Sequence, residues 1–318
     1  MDDTYAVILA AGRGKRLAPL TNHRPKAMLP ILGKPLIDYT VDQFIQAGIR
    51  KFIIVINPQS EIIIDYFRKK SVGVDIIFVF QSEPRGMGDA LSCAAGYLSS
   101  DFMLSACDNL VSPKDIRRIL ATRQKTKAKA ILALMAVKPE NFSSTAIVEM
   151  NGSQVTNIIE KPSSEEAPSN IASLPLYYFS PDILKYIPTI QPSKRGEYEL
   201  QDAIQKLIQL DGNVFGITLR NRLTLTTPQD LLEINLLYLS KPEYISTIPS
   251  NNITDYAYTP PVYIEEGVMI GKHSSIGPKV YIEKGAKIGC EASIENSIIL
   301  ENVNLSSGAI IHNQLVYE

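Results

Sequence analysis

Charge of either sign is nowhere in excess: 32 Lys and Arg stand against 33 Asp and Glu in 318 residues. That balance excludes the basic surplus that tracks nucleic acid or an anionic membrane, and it leaves small molecules as the expected partners. Cysteine is scarce as well. Cys93, Cys107 and Cys290 are odd in number and far apart, which suits a reducing compartment and supplies neither a disulfide framework nor a zinc site. His23, His273 and His312 are equally scattered. The longest apolar run, Ala130 to Val137, falls far short of the ~20 residues that span a bilayer. The acidic start Met1-Asp2-Asp3 is unlike the basic opening of a signal peptide. A cytoplasmic protein of two domains is expected from this length and composition.

What is present is concentrated at the opening, Leu9-Ala10-Ala11-Gly12-Arg13-Gly14-Lys15-Arg16-Leu17, continued to Pro25-Lys26 and Met28-Leu29-Pro30. Ala6 to Leu9 reads as a buried strand, and the small residues after it free the backbone to turn with its amides exposed. Such a turn wraps an anion. Arg16 and Lys26 follow, with Pro19 and Pro25 stiffening the chain between them, so two fixed cations face something like a triphosphate. No third glycine completes G-x-G-x-x-G and no G-K-[ST] closes the loop, which excludes the dinucleotide and P-loop signatures.

Further along, Ile37, Val41, Phe44 and Ile45 make one helical stripe that ends at Gly48. Strands at 52–57 and 74–80 alternate with a helix near 61–69, the pattern of a parallel sheet flanked by helices. In such sheets ligands bind beyond the carboxyl ends of the strands, so the loops after Leu9 and Phe80 are expected at one pocket. In the second loop, Gln81 offers a donor and an acceptor to a planar base, and Gly86 permits close backbone approach. A strand at 102–107 delivers Asp108, a carboxylate suited to a hard cation. Beyond it, Asn151-Gly152 predicts a hairpin turn leading to Glu160-Lys161-Pro162, an acceptor beside a cation that suits a phosphorylated sugar.

Residues 240–261 are polar, proline-containing and irregular, and read as a linker. After it Ile264, Ile270, Ile276, Ile282, Ile288, Ile294 and Leu300 recur every six residues. That period predicts a short parallel β-helix whose aliphatic residues point into a stacked core, and its open end favours a homo-oligomer. His273 and His312 read as surface residues.

The string LAAGRGKRLAPLTNHRPKAMLPILGKPLI resembles the signature of the sugar-1-phosphate nucleotidyltransferases, or NDP-sugar pyrophosphorylases. The resemblance implies a Rossmann-like α/β fold over 1–239 with a mixed, mostly parallel sheet, and a small left-handed parallel β-helix over 262–318. It implies that Leu9, Ala10, Ala11, Gly12 and Gly14 hold the nucleotide, that Gln81 and Gly86 read the base, and that Arg16 and Lys26 neutralise the triphosphate and its pyrophosphate leaving group. It further implies that Asp108 takes the magnesium ion and that Glu160, Lys161, Ala146 and Tyr177 lie on the sugar-phosphate side. Gly86-Met87-Gly88-Asp89-Ala90 is similar to the thymidylyltransferase branch, so dTTP is favoured over UTP or GTP.

Three positions depart from the family pattern. Ala146 and Pro175 replace glycines, and Thr224 aligns with an Asp that is normally the second metal ligand. Two readings stay open: an enzyme making an NDP-sugar from an NTP and a sugar-1-phosphate such as glucose-1-phosphate, or a catalytically weak paralogue that binds nucleotide or NDP-sugar and regulates an active partner.

Overall fold

A computed structural model describes residues 4–70, 73–249 and 255–317. The chain divides by its contacts into two compact units, Met1–Arg13 with Ile37–Leu223 and Gly14–Leu36 with Thr224–Glu318. This division runs differently from the sequence partition at 239 and 262. Of the linker drawn over 240–261, residues 250–254 lie outside the described residues.

In the first unit, nine strands form one mixed sheet: β1 (Tyr5–Leu9), β2 (Lys51–Ile56), β3 (Asp75–Phe80), β4 (Phe102–Ala106), β5 (Ala130–Ala136), β6 (Ala146–Asn151), β7 (Gln154–Glu160), β8 (Ile171–Phe179) and β9 (Val214–Thr218). Their order is β3-β2-β1-β4-β8-β5-β9-β7-β6. The pairs β1–β2, β1–β4, β2–β3 and β5–β9 are parallel, whereas β8 runs antiparallel to β4 and β5. Continuous apolar runs explain the parallel half: Ala6 to Ile8 and Phe52 to Ile56 are wholly buried, as strands covered on both faces must be.

The helices are α1 (Leu36–Gln46), α2 (Glu61–Lys70), α3 (Met87–Ala94), α4 (Pro113–Thr126) and α5 (Leu200–Leu210). The stripe of α1 is buried at Ile37, Val41 and Phe44, and the chain turns at Gly48 with φ +102°. Ser112 caps α4 by accepting the Asp115 N–H at 3.2 Å. Side chains of α3 and α5 share one core with Leu104, Leu132, Tyr177 and Phe179 of the sheet. This is a Rossmann-like mixed α/β fold. The hairpin turn lies one residue later than its sequence suggests: Asn151 pairs with Gln154, leaving Gly152 (φ +61°) and Ser153 to turn.

Register fixes where the loops leave. Leu9 lies opposite Val55 and Ala106, and Ile56 opposite Phe80. The ladder continues one residue further through Ala10 N–H to Val55 O (2.8 Å), Cys107 N–H to Leu9 O (3.0 Å) and Gln81 N–H to Ile56 O (2.9 Å). The loops after β1, β3 and β4 therefore start from one sheet edge.

The second unit stacks short parallel strands into three sheets, with Val262–Ile264, Val280–Ile282, Ser297–Ile299 and Leu315–Val316 forming one of them. Partners are eighteen residues apart in the first layers, as Val262 with Val280, and seventeen in the later ones, as Val280 with Ser297. The six-residue period therefore slips after Ile294. Asn296 turns the chain at φ +47°, and Ile299, not Leu300, stands opposite Ile282 in the core. Helix α6 (Pro228–Leu239) packs on these sheets and on the short strand Pro30–Ile31, which is why both join this unit. Its start carries a capping box between Thr227 and Asp230. His273 and His312 are exposed. Among the described residues, no helix is long and apolar enough to cross a membrane.

Tight stacking gives the glycines of this unit their meaning. A methyl group on Gly289 would stand 2.4 Å from the Ser307 backbone nitrogen in the next layer, where only backbone movement relieves it. Gly289→Ala is expected to lower stability by about 1–3 kcal/mol, the range for overpacking. Gly96→Ala, whose methyl would meet nothing within 4 Å, is the control. Thermal unfolding of the two variants reads the difference, and equal melting temperatures would contradict the stacking.

Candidate active site

At the end of β1 the chain turns from buried Ala10 and Ala11 to exposed Gly12 and Arg13. A Cβ on Gly12 would meet nothing within 4 Å, so this stretch of backbone is open to a ligand.

The loop after β3 is more constrained. Gln81 is buried, and its amide Nε2 donates to Gly86 O (3.1 Å) and to Asp89 Oδ2 (2.8 Å), while Arg85 pairs with the other Asp89 oxygen at 3.0 Å. Both amide hydrogens are thus committed, one to the loop and one to the first turn of α3, and the Gln81 carbonyl is the remaining polar group of that amide. Gly86 has φ +100°, and a Cβ there would lie 2.7 Å from the Tyr198 carbonyl oxygen. Gly88 is as close, at 2.8 Å to the same oxygen. The cause is a backbone junction: Tyr198 N–H donates to Arg85 O (2.7 Å), and Gly88 N–H donates to Tyr198 O (2.9 Å). Gly86 thus serves the packing of two loops in addition to any approach of a base.

On the other half of the sheet, Ser173, Ala146 and Glu160 lie side by side on β8, β6 and β7. Lys161 adopts φ +47°, uncommon for a residue with a side chain and frequent at functional sites. Its N–H is held by Thr145 O at 3.1 Å, and its Nζ lies 3.3 Å from Glu160 Oε1. Arg195 bridges that carboxylate and Glu199, at 3.5 and 2.6 Å, while Ser193 Oγ donates to Glu199 at 2.8 Å. Two anions and two cations form one chain of contacts. Burial pushes the Glu160 carboxyl above its usual range, with Lys161 opposing and Glu199 adding to the rise.

Tyr177 is placed in the core, not on a surface a sugar could reach. Its ring is fully buried and stacked on Phe179 at 5.4 Å between centroids. Its hydroxyl accepts from Gln201 Nε2 at 3.3 Å, and burial raises its pKa. Ala146 is buried in its strand. Pro175 sits where the pairing of β8 with β5 shifts register, between Ser173 and Tyr177, a place that needs no ladder N–H from it.

Asp108 follows β4 and is half-buried. Arg222 is its charge partner: burial lowers the guanidinium pKa and the Asp108 charge raises it. Arg222 Nε also donates to the fully buried Asn109 Oδ1 at 2.7 Å. Among the described residues no group of three or more His, Cys, Asp and Glu side chains could hold a metal. This donor set fits a magnesium ion held by one carboxylate with phosphate and water, as is common for that ion.

Within the second unit, Arg16 and Lys26 stand on the 3₁₀ turns Lys15–Leu17 and Lys26–Met28, with Leu17 and Ala27 buried beneath them. Gly14 has φ +62°, and its carbonyl accepts from Leu17 N–H (2.8 Å) and Thr21 Oγ1 (3.1 Å).

The nucleotidyl transferase family model matches residues 5–241, and a GMPPB C-terminal domain model matches 258–318. The chain belongs to the nucleotidyl transferase family. It is 34% identical to a UTP–glucose-1-phosphate uridylyltransferase, AglF, of Haloferax volcanii, over 71% of this chain and 92% of that protein. It is also 34% identical to the bifunctional protein GlmU of Methanococcus maripaludis, over 98% of this chain and 73% of that one. A crystal structure of UDP-glucose pyrophosphorylase complexed with UDP-glucose shares the fold, with a TM-score of 0.68, 23% identity, and coverage of 75% of this chain and 98% of that one.

For this nucleotidyltransferase, sequence reasoning missed Arg195, Glu199 and Arg222. The one local signal at Glu199 is an acidic residue just before an apolar-periodic helix. Arg222 carried none.

The raised Glu160 pKa has a definite sign in stability. The folded chain binds that proton more tightly than the unfolded chain, whose ordinary Glu value is about 4.3, so its contribution is complete below that value and is lost as pH rises through the Glu160 pKa. Glu160→Gln is expected to flatten this part of the stability curve, read from urea midpoints between about pH 4 and pH 7. Equal slopes in the two proteins would contradict it.

Proposed function

We propose that this nucleotidyltransferase joins an NTP to a sugar-1-phosphate, releasing pyrophosphate and forming an NDP-sugar. The observation that carries the reading is the Glu160–Lys161–Arg195–Glu199 chain at one end of the sheet: carboxylates accept from ring hydroxyls, while an ammonium and a guanidinium meet a phosphate. The relatives named above support a sugar phosphate as the acceptor.

In this reading a sugar-phosphate oxygen attacks the α-phosphorus in line, one P–O bond forms, and the bond to pyrophosphate breaks. Catalysis then rests on positioning and charge stabilisation, with no covalent enzyme intermediate. The turn Leu9 to Gly14 holds the nucleotide through its backbone, Gln81 meets the base, and Arg16 and Lys26 offset the charge that grows on the leaving pyrophosphate. Asp108 would hold a magnesium ion, which would supply charge neutralisation at the phosphates. Gly86-Met87-Gly88-Asp89-Ala90 favours dTTP, and the uridylyltransferase relative makes UTP the first competitor. The three stacked sheets of the second unit support a left-handed β-helix. Ile310 at its last layer is 72% exposed, and that apolar end favours a homo-oligomer.

The second reading, a regulator that binds nucleotide without turnover, is favoured by one observation. Asp108 already has a cation beside it in Arg222, and Thr224 brings no carboxylate.

The deciding assay is pyrophosphate release with magnesium, dTTP, UTP or GTP, and glucose-1-phosphate among a panel of sugar-1-phosphates. Release that needs both substrates supports the enzyme. Nucleotide binding by calorimetry with no release from any pair supports the regulator. Lys26→Ala is expected to weaken NTP binding by about 1.5–3 kcal/mol, the range for hydrogen bonds to charged groups. An unchanged affinity would remove Lys26 from the triphosphate site.

A further inference from the structure

The segment Gly14–Leu36, which carries Arg16 and Lys26, is built as part of the second unit. Three anchors hold it there. Arg24 Nη1 pairs with Glu283 at 2.8 Å, and Arg24 Nη2 pairs with Glu301. Glu283 is almost fully buried, and its second oxygen accepts the Glu301 N–H at 2.9 Å. Asn235 of α6, wholly buried, accepts the Leu32 N–H at 2.9 Å and donates to Pro30 O at 3.2 Å. Gly33 N–H is bonded by the Tyr281 hydroxyl, which donates in turn to Glu265 at 2.6 Å. A Cβ on Gly33 would lie 2.7 Å from the Tyr263 hydroxyl. Lys26 stands between the first anchor and the other two.

We propose that the Arg24–Glu283–Glu301 cluster is a positioning device for the triphosphate-binding cations: the C-terminal sheets hold the loop on which Lys26 stands. The proposal rests on the reading of Lys26 as a triphosphate contact. Its physical basis is the burial of the pair. Neutralising one carboxylate leaves the largely buried Arg24 with one of its two partners, so the loop gives way before the sheets do. The sheets themselves keep their apolar core of Ile264, Ile282, Ile294 and Ile299. Arg24 touches no reacting atom and acts through Lys26.

The test uses the full chain and three variants, Glu301→Gln, Glu283→Gln and Arg24→Lys, with Lys26→Ala alongside. Glu301 is the mildest site, since its side chain is 39% exposed, and it keeps the test open if Glu283→Gln does not fold. Calorimetry measures binding of UTP, dTTP and their monophosphates, and trypsin reads cleavage after Arg16 and Lys26. Glu283→Gln and Glu301→Gln are expected to weaken triphosphate binding about tenfold, as loss of a charged contact implies, with monophosphate binding within about twofold. Cleavage at Arg16 and Lys26 should quicken, whereas Arg24→Lys, which keeps the charge, should retain most of the parent's triphosphate binding and protease resistance. If the Gln variants bind triphosphate as the parent does while Lys26→Ala does not, the cluster has no positioning role and the proposal fails. Should Lys26→Ala also bind normally, the triphosphate reading has failed and the proposal falls with it.

Discussion

Two backbone hydrogen bonds, from Tyr198 N–H to Arg85 O and from Gly88 N–H to Tyr198 O, set the terms for the rest of the first unit's site. They hold the loop after β3 against the segment before α5, and at that separation no Cβ fits at residue 86 or 88. The junction has effects on both sides. On one, Gly86 accepts from Gln81 and fixes which way its amide faces. On the other, Glu199 follows Tyr198 directly and collects Ser193 and Arg195, and Arg195 reaches Glu160. The loop after β3 and the Glu160–Lys161–Arg195–Glu199 cluster thus share one support, which in the proposed reading suits a reaction that brings a nucleotide and a sugar phosphate together.

Much of this was legible in the sequence wherever one local pattern decides the outcome. Ala6 to Leu9 and Phe52 to Ile56 are strands because parallel strands covered on both faces need unbroken apolar runs, and α1 follows from its stripe. Asp108, Glu160 and Lys161 could be placed at strand ends because strand ends were visible. What escaped depends on partners distant in sequence. Nothing local reveals that Tyr177 faces the core while its neighbours on β8 change register at Pro175. The slip that puts Ile299 in place of Leu300 turns on one residue at Asn296. A charged signature segment beside Pro25 carries no sign that Glu283 and Glu301, more than 250 residues on, complete Arg24.

The electrostatics divide along the same lines. Glu160, Lys161, Arg195 and Glu199 balance one another, so the cluster has no large net field of its own and its groups are already oriented. Asp108 and Arg222 are also matched, and Asn109 fixes the guanidinium. In the proposed reading, a magnesium ion at Asp108 would share that carboxylate with Arg222.

The most direct measurement is isotope exchange between labelled pyrophosphate and NTP at equilibrium, with and without the sugar-1-phosphate. Direct in-line transfer between two bound substrates is expected to give exchange only when the sugar-1-phosphate is present. Exchange in its absence would show a nucleotidyl group carried on the protein, and no exchange under either condition would show that the chain does not perform the transfer.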